Sequence, residues 1–271
     1  MPTDPARREL HRAWNAARGD GGPGAAPHRA KVTGELLRGV DPAAGAALTL
    51  LGAGRCGDVD LPALLGGFAS VTAADFDADA LAAGFTAQGV AGDPRVTALG
   101  GADLMPLPAG RDGFLEACGD PPVPAGLAGA ADVAGSLCVL TQLIDHALAR
   151  VGHGHSQAAG VAGVVRAGHL RQLAGCLKPG GLGLLVTDLL SEATCPDLLT
   201  ASDADAPAVI AAALERGNVF RGVSPAHLLR AVREDPALGP RVARSQLLRP
   251  WVWRPGDRAF AVTAVRFRLK S

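Results

Sequence analysis

Residues 48–57 read L-T-L-L-G-A-G-R-C-G, an apolar run that breaks into glycines at 52, 54 and 57. Eighteen positions after the last of these stands Asp75, inside a second run, V-T-A-A-D-F-D (71–77). Closely spaced glycines after a strand bring bare backbone up to a ligand. An acid ending the next strand is placed to accept ribose hydroxyls. The stretch predicts a nucleotide-type cofactor at the carboxyl end of the first strand of a parallel sheet. The glycine spacing alone leaves the cofactor's identity open.

Working outward, residues 4–18 predict a short helix with Leu10 and Trp14 on one face, then a Gly/Pro linker to Pro27. A second helix is expected over Ala30–Arg38, stopped by Gly39 and Asp41-Pro42, before the first strand at Ala46–Leu51. A helix is expected over 59–67 and a strand over 70–74, after which Asp77 caps a helix running to Ala87. A third strand (95–99) ends in G-G-A-D, and residues 105–130 read as a Gly/Pro-rich loop insertion. A fourth strand (132–139) leads into helix with a Gly/His break at 152–155, and a further helix covers 161–177. K-P-G-G (178–181) reads as helix stop and turn before a fifth strand at 182–187, and residues 196–235 read as mainly helical. The end reads as a hairpin, 242–253 and 258–269, around R-P-G-D. Strand–helix alternation implies right-handed crossovers and a parallel sheet covered on both faces.

Composition narrows the setting. The 271 residues are 48% hydrophobic but only 4% aromatic, with no tyrosine, so the core must rest on Leu, Val and Ala. Net charge is zero, which gives no global case for nucleic acid or membrane. The distribution is uneven, because residues 221–271 hold eleven Lys and Arg against three acids. That basic end reads either as arginines on the solvent face of edge strands or as an anion site. Five cysteines without a C-x-x-C give neither zinc spacing nor a disulfide framework. With no apolar leader and no membrane-length apolar run, the expectation is a soluble cytoplasmic protein without membrane partners.

Four pieces together resemble the class I S-adenosylmethionine-dependent methyltransferases over roughly residues 45–270. The strand, glycines and Asp58 resemble the family's first motif, and V-T-A-A-D-F-D its ribose-binding acid. G-A-D-L (101–104) resembles the segment that meets the adenine. D-V-A-G-S-L-C-V-L-T-Q-L (132–143) resembles the fourth motif, continued by L-K-P-G-G-L-G-L-L-V-T-D (177–188). The resemblance implies a Rossmann-like, seven-stranded, mostly parallel sheet with helices on both faces and a C-terminal antiparallel hairpin. It implies a catalytic domain over 45–271, with residues 1–44 a helical arm or lid. By the same resemblance, S-adenosyl-L-methionine would sit against Gly52, Ala53, Gly54 and Gly57. Asp75 and Phe76 would meet its ribose, Asp103 and Leu104 its adenine, and Ser136, Leu137 and Cys138 its floor.

Methyl transfer to an amine or hydroxyl also requires loss of a proton. Asp145 and His146 follow the fourth strand, and His153 and His155 sit in the glycine break, so these are the acid–base candidates. Asp188 and Glu192 follow the fifth strand and could face an amine, whereas His169, inside a helix, reads as structural. No third ligand accompanies His153 and His155, and leucine follows Asp188 where metal-dependent catechol-type sites carry asparagine, so no metal is expected. The fourth motif lacks N-P-P-Y, D-P-P-Y and P-C, the marks of base-methylating nucleic-acid enzymes. The leading expectation is methyl transfer to N, O or S of a small molecule or peptide. Alternatives are an RNA-modifying methyltransferase, an aminopropyltransferase, or a non-catalytic cofactor-binding scaffold or sensor.

Overall fold

The computed structural model describes residues 23–38, 40–41, 44–108, 112–152 and 154–271. The helix expected over 4–18 and the candidate His153 lie outside the described residues.

Helix α1 (Ala26–Leu37) precedes β1 (Ala47–Leu51), α2 (Leu61–Leu65), β2 (Ser70–Asp75), α3 (Ala78–Ala87) and β3 (Val96–Gly100). Then come α4 (Phe114–Gly119), β4 (Ala131–Leu137), α5 (Leu140–Val151), α6 (Ala158–Gly175) and β5 (Leu177–Ser191). The chain ends with α7 (Ala206–Glu215), α8 (Pro225–Glu234), β6 (Val242–Leu247), β7 (Trp251–Trp253) and β8 (Phe260–Leu269).

The strands form one sheet in the order β3-β2-β1-β4-β5-β8-β6, with β7 also paired to β8. The first five run parallel, and β8 lies antiparallel between β5 and β6. β6 and β7 pair with consecutive stretches of β8, so they are two pieces of one edge strand, interrupted at 248–250. Pro250 falls in the gap, and its missing N–H cannot serve the ladder. The sheet is therefore seven strands wide, with the expected terminal hairpin. After β3 the chain crosses to the other side of β1, which opens a crevice at the carboxyl ends of β1 and β4.

Period-two alternation fills both faces. Leu48 and Leu50 of β1 point into a core shared with α1, α2 and α3, whereas Leu51 points into the core under α5, α6 and α7. Trp251 and Trp253 are buried in the first of these cores, as sheet packing requires.

Two elements differ from expectation. K-P-G-G is not a turn before the fifth strand but part of it, because β5 begins at Leu177. The register steps from Ala131↔Leu177 to Val133↔Leu182, so the extra residues bulge out of the ladder. Residues 105–130 are not all loop, since α4 buries Phe114 and Cys118 against α6. Six residues are too few for periodicity to announce a helix.

Gly84, within α3, shows how tightly the fold holds the glycine loop. A Cβ at this position would lie 2.2 Å from the Arg55 carbonyl oxygen. Alanine would gain about 1 kcal/mol of helix propensity, but backbone overpacking costs about 1–3 kcal/mol. Gly84→Ala is expected to lower stability in urea unfolding, although the same change on an open helix face raises it.

Candidate functional site

β1 stops at Leu51 because Gly52 turns into the left-handed region, with φ +67. The Gly52 and Ala53 amides both donate to the Ala74 carbonyl, at 2.9 and 3.3 Å. A side chain at 52 has no room, since its Cβ would lie 2.5 Å from Cβ of Val139, just beyond β4. The Gly54 amide then donates to Asp75 Oδ2 at 2.7 Å, and Asp75 Oδ1 accepts the Asp77 amide at 2.9 Å. One buried carboxylate thus ties the loop after β1 to the end of β2. Asp77 is the helix cap, accepting the Ala80 amide at 3.1 Å, so Asp75 is not needed for that role.

The far side of the loop is closed by partners distant in sequence. Arg29 on α1 donates to the Gly57 carbonyl at 3.0 Å, and Gln88 donates to the Cys56 carbonyl at 2.8 Å. Buried His28 lies 3.1 Å from Asp58 and stacks on Trp253 with ring centroids 4.6 Å apart. Trp251 Nε1 donates to His28 Nδ1 at 3.0 Å. An indole nitrogen can only donate, so Nδ1 accepts and Nε2 donates to Asp58. Cys138 completes a group whose ligand atoms lie within 4.8 Å of one another. The Nε2 proton is directed at Asp58, so hydrogen bonds tie His28 to both Asp58 and Trp251. Burial and the nearby Asp75 and Asp58 charges push the Cys56 thiol up to about 12, which leaves it unreactive.

On the β3 side of the crevice, Phe76 and Asp103 are half-buried and Leu104 is buried. Asp103 Oδ1 accepts the Met105 amide at 2.9 Å, fixing the segment after β3. Of the expected floor residues, Leu137 points into the α1-side core. Ser136 points the other way, with Oγ 2.8 Å from His169 Nε2. Contact from 136 and 137 to a ligand is therefore left to their backbone. Cys138, with φ +48, and Val139 bring their side chains against the loop group and Gly52.

Ser136 belongs to a network that sequence reasoning missed. Gln172 Nε2 donates to the Leu104 and Pro122 carbonyls at 2.9 and 2.7 Å. Its Oε1 must therefore accept from His169 Nδ1, 3.0 Å away, which leaves Nε2 to accept the Ser136 hydroxyl. Hydroxyl, imidazole and amide are ordered as in a nucleophile relay. All three are sealed from solvent (Ser136 0%, His169 1%, Gln172 2% exposed), so no substrate reaches them. The chain joins β4, α6 and the segment after β3. Its sequence signal was a polar residue at each of three otherwise apolar core positions.

The acid–base candidates are dispersed. On α5, Asp145 is exposed and His146 half-buried. His155 is exposed, with its Nδ1 accepting the Gln157 amide at 3.2 Å. Asp188, buried at the carboxyl end of β5, accepts the Thr141 hydroxyl at 3.1 Å. Glu192 instead anchors the hairpin through Arg258 and the Ala259 amide.

No protein-family model matches the sequence, and no curated protein matches it. Solved structures do match the fold. The methyltransferase partner of the Trm112 methyltransferase activator from Haloferax volcanii superposes with a TM-score of 0.53 at 14% identity, over 97% of each chain. A protein whose structure concerns the conversion of a disulfide bond into a thioacetal group in echinomycin biosynthesis gives 0.52 at 14% identity, over 97% of this chain and 92% of that one. The YcgJ protein of Bacillus subtilis gives 0.50 at 12% identity, over 89% and 99%. At such identities the likeness is one of fold. The chain has the Rossmann-like fold of the class I S-adenosylmethionine-dependent methyltransferases. Among the described residues, no helix is long and apolar enough to cross a membrane.

His169 gives a pH test of the buried network. Burial drives its pKa from 6.5 down to about 4, against the opposing pull of the Gln172 hydrogen bond. The contribution is whole above pH 6.5, where the unfolded imidazole is also neutral. It is lost as pH falls towards 4, because the unfolded chain takes up the proton first. The full loss is about 3 kcal/mol. Melting curves between pH 7 and 4 should fall more steeply for the natural chain than for His169→Gln.

Proposed function

We propose that this chain is an S-adenosylmethionine-dependent methyltransferase acting on N, O or S of a small molecule or peptide. Residues 45–271 are taken as the catalytic domain and residues 1–44 as its N-terminal arm, of which α1 packs into the domain's core. The observation that carries the reading is the Asp75–Gly54 bond, 2.7 Å long, at the crevice where the strand order reverses.

The residues present fit the cofactor. A carboxylate offers roughly four acceptor sites, so the backbone bonds of Asp75 are compatible with ribose hydroxyls on the same group. Left-handed turns at Gly52 and Gly54 keep Cβ atoms out of the loop's path. The loop 52–57 would hold the methionine moiety. Phe76, Asp103 and Leu104 would flank the adenine, and Cys138 with the backbone of Ser136 and Leu137 would form the floor.

Bound S-adenosylmethionine supplies a methyl group already activated on a positively charged sulfur. The protein then has to bring an acceptor atom to about 3–3.5 Å, in line and out of water. The buried His28, stacked on Trp253 and hydrogen-bonded by Trp251, makes one wall of the site behind Asp58 dry and rigid. His146 and Asp145 on α5, together with His153, are our candidates for taking the acceptor's proton, and Asp188 is the buried acid held ready by Thr141.

Calorimetric titration with S-adenosylmethionine and S-adenosylhomocysteine, with decarboxylated S-adenosylmethionine for comparison and NADH as control, tests the reading. The first two should bind at micromolar concentration and NADH should not. Asp75→Asn removes a charged hydrogen bond worth about 2 kcal/mol, so affinity should drop about 30-fold. Preference for decarboxylated S-adenosylmethionine would move the assignment to aminopropyl transfer. No binding of any of them would overturn it.

A further inference from the structure

The basic C-terminal residues gather in one place. Arg244 and Gln246 of β6 stand directly across the ladder from Arg268 and Arg266 of β8. With Arg38 at the end of α1 and Ser245 of β6, they line a cleft of about 380 Å³ at the sheet edge. The cleft is at the opposite end of the sheet from the glycine loop, since Arg268 pairs with Leu182 near the start of β5 whereas the loop follows the ends of the parallel strands.

Three of the four guanidinium groups are held in position. Arg266 donates to Glu35 at 3.1 Å and to Gln246 at 2.7 Å. Arg38 pairs with the other oxygen of Glu35 at 3.2 Å, and Arg268 donates to the Gly180 carbonyl at 2.8 Å. The fourth, Arg244, makes no hydrogen bond or ion pair among the described residues, yet it faces Arg268 in register. Like charges directly opposite one another weaken a ladder unless an anion lies between them. Edge protection needs one exposed charge and does not need a concave site. Four planar forks against a single carboxylate match an anion of several charges, and guanidinium favours phosphate oxygens taken two at a time.

We propose that this cleft binds a diphosphate group, free or as part of a small nucleotide, with Arg244 and Arg268 gripping it and Arg38 closing the rim. The volume suits a compact ligand. A nucleic-acid strand would call for basic residues along a stripe, and the chain's net charge of zero gives no wider attraction for one. The site is independent of the cofactor reading above.

The full chain is titrated calorimetrically with pyrophosphate, ADP, inorganic phosphate and adenosine. Pyrophosphate should bind at micromolar to sub-millimolar concentration, and phosphate about tenfold or more weaker. ADP binding equal to or tighter than pyrophosphate assigns a nucleotide, and weaker binding assigns the free anion. Arg244→Ala, an exposed edge position that folding tolerates, should cost about tenfold or more, as should Arg38→Ala. ADP binding should survive Asp75→Asn, which separates this cleft from the cofactor crevice. Absence of pyrophosphate binding, or binding unmoved by either arginine variant, overturns the proposal. So does self-association of Arg244→Ala without loss of anion affinity, or tighter binding of single-stranded RNA than of either diphosphate.

Discussion

The carboxylate of Asp75 holds the site together. It accepts the Gly54 amide from the loop after β1 and the Asp77 amide at the start of α3. Without it, the start of the loop would keep only its backbone bonds to Ala74, while Arg29 and Gln88 hold its far side. A buried carboxylate is costly unless its oxygens are filled by donors, and here one donor is the glycine-loop backbone and the other the Asp77 amide. Stability and the shape of the crevice therefore converge on one group, and what positions that group positions the crevice.

Two layers of support surround the loop, and they differ in kind. On one side α1 brings His28 and Arg29, which meet Asp58 and the Gly57 carbonyl, while Trp251 and Trp253 arrive from the far end of the chain to wall them in. On the other side Ser136, His169 and Gln172 run through the core to the Leu104 carbonyl. The second network is buried and fully paired, and in the first the His28 ring is paired on both nitrogens, which favours one arrangement of the segments they join. Neither exposes a reactive group. Their effect is to stop the crevice from relaxing.

Much of this frame is legible in the sequence, because it is dictated locally. Glycines at 52 and 54 demand a turn wherever the chain places them, and an acid ending the next strand lies across from them in any parallel pairing with β1. The hairpin is equally local, since residues 258–269 alternate as a strand. K-P-G-G misleads because its breaker residues sit in a strand bulge that only the β4 partner reveals. Ser136 misleads for a related reason. A motif gives a position along the strand, but the face a side chain takes is set by the two-residue period, and that period turns Ser136 to His169. The His28–Trp251 bond, spanning 223 residues, has no local trace at all. The acid–base candidates are least legible, since Asp145, His146 and Asp188 lie on α5 and β5, elements whose relative placement no short motif encodes.

The central claim is that the crevice beside Asp75 holds an adenosyl cofactor, and a crystal structure with S-adenosylhomocysteine tests it most directly. The account predicts ribose hydroxyls within hydrogen-bond distance of Asp75, the adenine between Phe76 and Asp103, and the sulfur over Cys138. S-adenosylhomocysteine lodged elsewhere, with Asp75 still bonded only to backbone, would contradict it.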